Sequence, residues 1–192
     1  MKIEQQCSIN APPQAVWAFL TDPYRVVSCL PGATITEKID DRTYTGTITV
    51  KVGPVMAAYK GRMCFERLAP DVYEAEIIAH GQEEKGKGGA EMRMESRLHA
   101  RENGGTEVTV AAEVNIIGML AQFGRGVIQD VSDHLFQQFT ASMKTKLEVV
   151  SPDDQPRPAA QAAYVNGLAV GSRVFGRAIG RLIRRLFGVS KS

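Results

Sequence analysis

The side chains best suited to acid–base chemistry are three histidines and a few polar residues on otherwise apolar strand faces. His80 and His99 alternate with apolar neighbours, which places them on the polar faces of their strands, and His134 lies beside the apolar stripe of a long helical segment. The strand faces predicted to point inward carry three polar candidates, Tyr59, Arg67 and Ser96. No general acid–base pair can be assembled from these positions, so the sequence does not predict an enzyme.

The sequence gives equally little support for a metal site, a disulfide framework or a phosphate-binding loop. The three cysteines, Cys7, Cys29 and Cys64, are widely spaced, which matches neither a zinc ligand set nor a disulfide framework and favours a reducing compartment. The glycine-rich run from Gly86 to Gly89 does not precede a helix, so it does not predict a phosphate-binding loop.

The elements that would position these residues are strands between helical regions. Residues 2–10 read as a strand, Gln14 to Leu20 as a short helix after two prolines, and Tyr24 to Cys29 as a second short helix. From there to Asn115, apolar and polar residues alternate in runs separated by turn signals, which predicts an antiparallel meander. From Leu120 to Leu147 the apolar residues recur at three- and four-residue steps, as in a helix of about eight turns. One antiparallel sheet covered by one long helix is an α+β architecture.

The inward strand faces are rich in glycine, alanine and methionine, and such a sheet would leave space beneath a helix. We therefore expect an apolar cavity that suits a hydrophobic small molecule, although an ordinary methionine-packed core is the alternative. The predicted lining residues are Ala57, Tyr59, Met63, Phe65, Ile77, Met92, Met94, Ile116, Met119, Phe123, Val127 and Val131.

The segment from Gly118 to Gly126 joins the last strand to the long helix. Its glycines weaken a helix by roughly 1 kcal/mol each relative to alanine, which is compatible with a mobile gate. A tight corner that needs close backbone approach explains the same glycines. Gly53 and Pro54 are candidates for the opposing lip.

Composition and charge divide the chain in two. The 192 residues are 44% hydrophobic and 23% charged, which excludes a fully disordered chain, a fibre and a multi-domain enzyme. There is no apolar h-region at the start and no apolar run long enough to span a bilayer, so we expect a cytoplasmic protein. Residues 155–192 hold seven basic and no acidic residues, whereas residues 1–154 have a net charge of −5. We predict a domain at 1–150, a proline-rich linker at 151–163 and a basic tail at 164–192.

The tail predicts a basic amphipathic helix that binds an anionic membrane surface. At 100° per residue its apolar residues share an arc of roughly 100°, with arginines on the other side. Nucleic acid is excluded as a partner because aromatic and basic residues are not interleaved and the apolar face would stay wet. Packing of the tail on a partner helix remains the alternative. The predicted membrane-binding residues are Leu168, Arg173, Phe175, Arg177, Ile179, Arg181, Leu182, Ile183, Arg184, Arg185, Leu186 and Phe187.

Six short motifs stand out by their order and spacing. They are Leu30-Pro-Gly-Ala33, Tyr44-Thr-Gly46, Lys51-Val-Gly-Pro54, Tyr59-Lys-Gly61, Gly86-Lys-Gly-Gly-Ala90 and Gly118-Met-Leu-Ala-Gln-Phe-Gly-Arg-Gly126. Together they resemble the CoxG family of carbon monoxide dehydrogenase subunits, which lies in the START-like (Bet v 1-like) helix-grip superfamily. The resemblance covers roughly residues 1–148 and implies a curved sheet of about seven strands that grips a long C-terminal helix.

The resemblance also implies a function: a non-catalytic accessory protein of a carbon monoxide dehydrogenase-type molybdenum-flavin hydroxylase. It implies no covalent cofactor, a carried quinone (menaquinone or ubiquinone), and a peripheral position on the inner face of the cell membrane, where the enzyme would be linked to the respiratory chain. Two alternatives stay open: a START-like enzyme of the cyclase or hydrolase type, and a recruitment adaptor with a filled core and no ligand.

Overall fold

The computed structural model describes residues 1–148, and all that follows on structure concerns this range. It contains one antiparallel sheet with the strand order β1-β7-β6-β5-β4-β3-β2. The strands are β1 (Lys2–Ile9), β2 (Ala33–Lys38), β3 (Thr43–Val52), β4 (Val55–Ala69), β5 (Glu74–Glu83), β6 (Gly89–Ala100) and β7 (Thr106–Ile117). The helices are α1 (Pro13–Leu20), α2 (Pro23–Val27) and α3 (Gly124–Glu148), with a 3₁₀ turn at Leu120–Phe123.

The two short helices connect β1 to the far edge of the sheet, and their boundaries follow from capping. Pro13 opens α1, where its fixed φ suits the first turn and its missing N–H costs nothing. The Asp22 carboxylate caps α2 by accepting hydrogen bonds from the backbone N–H groups of Tyr24 and Arg25, at 3.0 and 3.4 Å. The second helix therefore begins at Pro23 and ends at Val27, slightly earlier than the sequence predicts.

The sheet bends sharply along a row of glycines. Gly46 of β3 pairs with Gly61 of β4, which pairs with Gly81 of β5. A Cβ atom on Gly61 would overlap the carbonyl oxygen of His80 and would lie 2.9 Å from the Cα of Gly81. A Cβ on Gly46 would likewise overlap a backbone oxygen, that of Thr34 in β2. Backbone from the neighbouring strand thus occupies the space of a side chain, and only glycine permits this curvature.

A bulge in β4 corrects one sequence prediction. The pairing with β5 shifts between Phe65 and Arg67, so that Glu66 is the additional residue. Because a one-residue shift exchanges the two faces of a strand, Arg67 points outward and bonds Glu74, with Nη2 to Oε2 at 2.7 Å. Arg67 is therefore not an inward polar candidate, as the unbroken alternation had predicted.

The entrance to the long helix is a tight corner followed by a break. Gly118 has φ +95°, and a Cβ there would overlap the Cα of Gly88 in the β5–β6 turn. Gly124, with φ +79°, separates the 3₁₀ turn from α3, so the helix begins at Gly124 and not at Leu120 as the periodicity predicts. Close backbone approach accounts for Gly118, which favours the corner over the gate.

The glycine row leads to the first testable prediction. Replacing Gly61 by alanine should destabilise the domain by about 1–3 kcal/mol, because the new methyl group must displace the backbone of β5. The measurement is urea unfolding followed by circular dichroism. Gly126→Ala is the matched control, since its Cβ meets nothing within 4 Å and it lies in α3, where alanine should stabilise by about 0.5–1 kcal/mol. Equal stability of Gly61→Ala and the wild type would contradict this account of the bend.

Candidate ligand-binding site

The core on the inner side of the sheet is divided into two clusters, one at each end of α3. The first surrounds the C-terminal half of α3, where Met143 packs with Ile9, Phe19 and Leu98. The second surrounds its N-terminal end, where Ile128 packs with Val52 and Tyr59. The helix is therefore held at both ends.

Between the two clusters lies a layer of large apolar side chains that belong to neither. We call Met63, Ile77, Met92 and Met94 the central layer; they lie on β4, β5 and β6, and all four are only partly buried. Strand register holds the layer together, because Ile77 pairs with Met94 and Ala79 pairs with both Met63 and Met92. The middle of α3 thus does not cover the middle of the sheet's inner face.

A separate, mainly apolar groove lies between α3 and the β3–β4 hairpin, and none of the four central-layer residues lines it. Its volume is about 510 Å³. Val127, Val131 and Leu135 line it from the helix, and Val50 and Val52 from β3. The hairpin turn at Gly53 forms its outer edge, which is where the sequence predicts the opposing lip. Val50 and Leu135 were absent from the predicted lining residues, because their contribution depends on where the hairpin meets the helix.

The predicted lining residues are distributed over these three regions. Ala57, Tyr59, Ile116, Phe123 and Val131 belong to the cluster at the N-terminal end of α3. Phe65 is buried beside the central layer, opposite Ile77. Val127 lines the groove and is largely exposed, and Met119 is exposed at the corner before the 3₁₀ turn.

A tyrosine and a carboxylate form a polar pair on the inner face, near the N-terminal end of α3. Tyr59 is buried and pairs with Glu83 across β4 and β5, so both side chains project from the same face. The Glu83 carboxylate lies over the β5–β6 turn, where a Cβ at Gly88 would be 2.6 Å from Oε2. Burial first, and the Glu83 charge second, raise the pKa of the Tyr59 hydroxyl above its usual value. Tyr59 is therefore a hydrogen-bond donor at neutral pH.

Glu83 is absent from the site residues that the sequence predicts. Glu83 follows the alternating apolar residues of β5 and precedes Glu84, so the sequence pattern suggests a charged turn there. The glycines at 86, 88 and 118 were the available signal, because together they leave room for its side chain and for the corner.

The histidines lie where the sequence predicts, away from the inner face. His80 and His99 are exposed on the outer face, and His80 Nδ1 is 3.8 Å from Glu91 Oε1. His134 is exposed on α3 at the groove and lies 2.9 Å from the amide nitrogen of Gln138. Ser96 is buried on the inner face. No histidine shares a site with Tyr59 and Glu83 in the described part of the chain.

The cysteines offer no activated thiol or metal site. All three thiols are free. Burial is the main cause that raises the pKa of Cys7, and the weaker opposing effects of Thr140 and Lys144 do not reverse it. Within residues 1–148, no group of three or more His, Cys, Asp or Glu side chains is arranged to hold a metal ion.

A larger concavity, about 1070 Å³, lies on the outer face of the sheet and has a different character. Charged and polar side chains form much of its lining, among them Lys60, Arg62 and Glu91. An apolar molecule bound there would remove water from these groups without replacing their hydrogen bonds, so the smaller, more apolar groove is the candidate site.

The predicted membrane-binding residues, from Leu168 to Phe187, lie outside the described residues. No helix in residues 1–148 is long and apolar enough to cross a membrane.

Comparison with known proteins decides the family. The profile of CoxG, a family of carbon monoxide dehydrogenase subunits, matches residues 6–148, most of the chain. The chain belongs to the CoxG family. This confirms the resemblance carried by the six motifs. No curated protein matches the chain significantly.

Solved structures place this CoxG-family chain in the START-like fold. A conserved protein from Geobacillus kaustophilus is similar at 17% identity and a TM-score of 0.68, over 77% of this chain and 95% of that one. A START superfamily protein from Mycobacterium smegmatis is similar at 8% identity and a TM-score of 0.53, over 78% and 99%. The Zhui aromatase/cyclase from Streptomyces is similar at 13% identity and a TM-score of 0.50, over 77% and 90%. The predicted helix-grip architecture of sheet and long helix is confirmed.

The Tyr59–Glu83 pair of this CoxG-family chain gives a second prediction. Glu83→Gln should lower the pKa of the Tyr59 hydroxyl by removing the repulsion between two negative charges, but the pKa should stay above the usual value because burial remains. The measurement is alkaline titration followed by NMR of ¹³Cζ-labelled tyrosine, with Tyr59→Phe to assign the signal. Glu84→Gln, in the exposed turn, is the control. An unchanged titration in Glu83→Gln would contradict the proposed proximity.

Proposed function

We propose that this protein is a non-catalytic accessory protein of a carbon monoxide dehydrogenase-type molybdenum-flavin hydroxylase and carries a quinone between its sheet and long helix. The observation that carries the proposal is the central layer: four large apolar side chains on the inner face that neither core cluster covers. Family membership supports the link to a carbon monoxide dehydrogenase. A quinone is the ligand class that joins such an enzyme to a respiratory chain.

The chemistry of the site suits a quinone. The central layer is built largely of methionines, which adapt to irregular apolar shapes such as a ring with an isoprenoid chain. A quinone also carries two carbonyl oxygens, which accept hydrogen bonds but do not donate them. Tyr59, whose hydroxyl stays protonated, is the donor that the inner face offers for one of these oxygens.

The two alternatives have less support. An enzyme of the cyclase or hydrolase type would need acid–base groups that converge on one point. Within residues 1–148, Tyr59 and Glu83 lie together on the inner face without a histidine, and the groove residue His134 is exposed and lies 2.9 Å from the Gln138 amide nitrogen. The similarity to an aromatase/cyclase concerns the fold. A ligand-free adaptor would bury its inner face, whereas the central layer is only partly buried.

We also propose that the protein acts at the cytoplasmic membrane surface, held there by residues 164–192. Five arginines near an anionic leaflet contribute on the order of 5 kcal/mol, and insertion of apolar side chains adds to this. Electrostatic attraction alone would be lost at high salt, so stable attachment needs both contributions.

Filling the central layer tests the ligand proposal. Met94→Trp should block quinone uptake because the larger ring occupies the space beside Ile77 and Ala112. Glu95→Trp is the matched control, since it introduces the same side chain one residue away on the outer face. The measurement is native mass spectrometry and lipid extraction after incubation with vesicles that contain menaquinone or ubiquinone. Equal quinone load on Met94→Trp and the wild type, or no quinone on the wild type, would contradict the proposal.

The attachment proposal predicts the behaviour of a tail variant. Changing Phe175, Leu182 and Leu186 to serine in the full chain should strongly reduce cosedimentation with anionic vesicles at every salt concentration, because the Coulomb attraction that remains in the tail is weak alone. Wild-type binding should fall only in part as salt is raised. Neutral vesicles serve as the control. Equal pelleting of variant and wild type would leave the tail without a membrane role, and packing on a partner's helix would then be the better interpretation.

A further inference from the structure

One end of the folded domain carries large apolar side chains exposed to solvent. They come from three separate elements: Met56 follows the β3–β4 hairpin, Ile117 and Met119 flank the corner after β7, and Val127 lies in the first turn of α3. Their exposed fractions are 67%, 57%, 42% and 37%. We call these four residues the apolar rim. They lie at one end of the sheet, because β3, β5 and β7 all end there and β4 and β6 begin there.

Two of the rim residues flank the candidate groove. Met56 and Val127 line it from the hairpin and from the helix. Ile117 lies on the outer face of the sheet, where it lines the larger concavity beside Gly89. A molecule entering the groove from this end would therefore pass between Met56 and Val127.

Basic side chains stand among the rim residues. Lys51, Lys85, Lys87 and Arg125 are exposed at the same end, and within residues 1–148 none of them forms an ion pair. On the outer face of the sheet, Arg67, Arg93 and Arg97 are each paired with a glutamate, whereas Lys60 and Arg62 have no ion pair within residues 1–148. Three carboxylates, the partly buried Glu83 and the exposed Glu84 and Asp130, lie near this end and leave it a small positive excess.

We propose that the apolar rim is a second membrane-contact surface, through which the folded domain itself docks its groove onto an anionic lipid bilayer. Exposed methionine, isoleucine and valine gain by insertion into the acyl boundary, and unpaired lysines and arginine are positioned for lipid phosphates. The partner is a lipid surface because the rim is made of separate apolar side chains interleaved with cations. A docking face for a protein would be expected to have a continuous apolar centre with few charges. The proposal depends neither on the tail nor on the identity of the ligand.

A tryptophan placed in the rim tests this in the full chain. In a Trp17→Phe background, Met119→Trp places the single tryptophan in the rim, and Val72→Trp places it at the opposite end, where Val72 is 58% exposed. The probe is a vesicle of phosphatidylcholine and phosphatidylglycerol with brominated acyl chains, which quench fluorescence on contact. We expect strong quenching and a blue shift for the tryptophan at 119 and neither for the one at 72.

The charge contribution is tested in the same system. In the Met119→Trp protein, Lys85→Glu with Lys87→Glu should raise the lipid concentration needed for half-maximal quenching about thirtyfold, since each of the two basic residues contributes about fivefold. Lys60→Glu with Arg62→Glu is the charge-matched control on the outer face.

The outcomes separate the rim from the tail. Cosedimentation without quenching of the tryptophan at position 119 would overturn the rim proposal and leave the tail proposal standing. Quenching that survives the triple serine variant of the tail would support the rim proposal independently of the tail. Absence of both signals would overturn both. Shielding of position 119 only when a carbon monoxide dehydrogenase is added would assign the rim to protein contact and overturn the lipid proposal.

Discussion

Backbone packing at the glycine row is the constraint on which the inner space depends. At Gly46 and Gly61, backbone of the neighbouring strand occupies the place of a side chain, which allows the sheet to curve there. A flatter sheet would need only one core to cover it. The bent sheet instead meets the helix at its two ends, through Met143 and Ile128, and leaves the central layer between them. The space that could hold a ligand is thus a consequence of curvature more than of the side chains that line it.

The sequence correctly predicts the strands and the long helix, whose apolar residues recur at regular intervals. Alternation of apolar and polar residues identified the strands, and apolar residues at three- and four-residue steps identified the long helix, because each pattern reflects burial of one face. Prediction from the sequence failed where a single residue interrupts the apolar pattern. The bulge after Phe65 turned Arg67 to the outer face, and Gly124 moved the start of α3 by four residues. The bulge is decided by pairing with the neighbouring strand, and the helix start by the positive φ of Gly124, and neither is contained in the apolar pattern of the segment itself.

The candidate site, like the fold, could be predicted from the sequence only in part. Its strand residues share a face, so alternation identified Met63, Met92 and Met94 together. The groove was harder, because it depends on the distance between a hairpin and a helix that are far apart in sequence. Glu83 was missed for a chemical reason: a carboxylate on an inner face is costly unless space and hydration are provided, and three glycines in two turns provide the space.

The outer face and the groove end of the domain carry different combinations of charged and apolar side chains. On the outer face, Glu74 and Glu76 pair with arginines from adjacent strands, while Lys60 and Arg62 are exposed without an ion pair within residues 1–148. At the groove end, unpaired cations stand beside exposed apolar side chains. A protein that takes an apolar molecule from a bilayer needs such an arrangement, because a groove that opens at the lipid surface spares that molecule a passage through water.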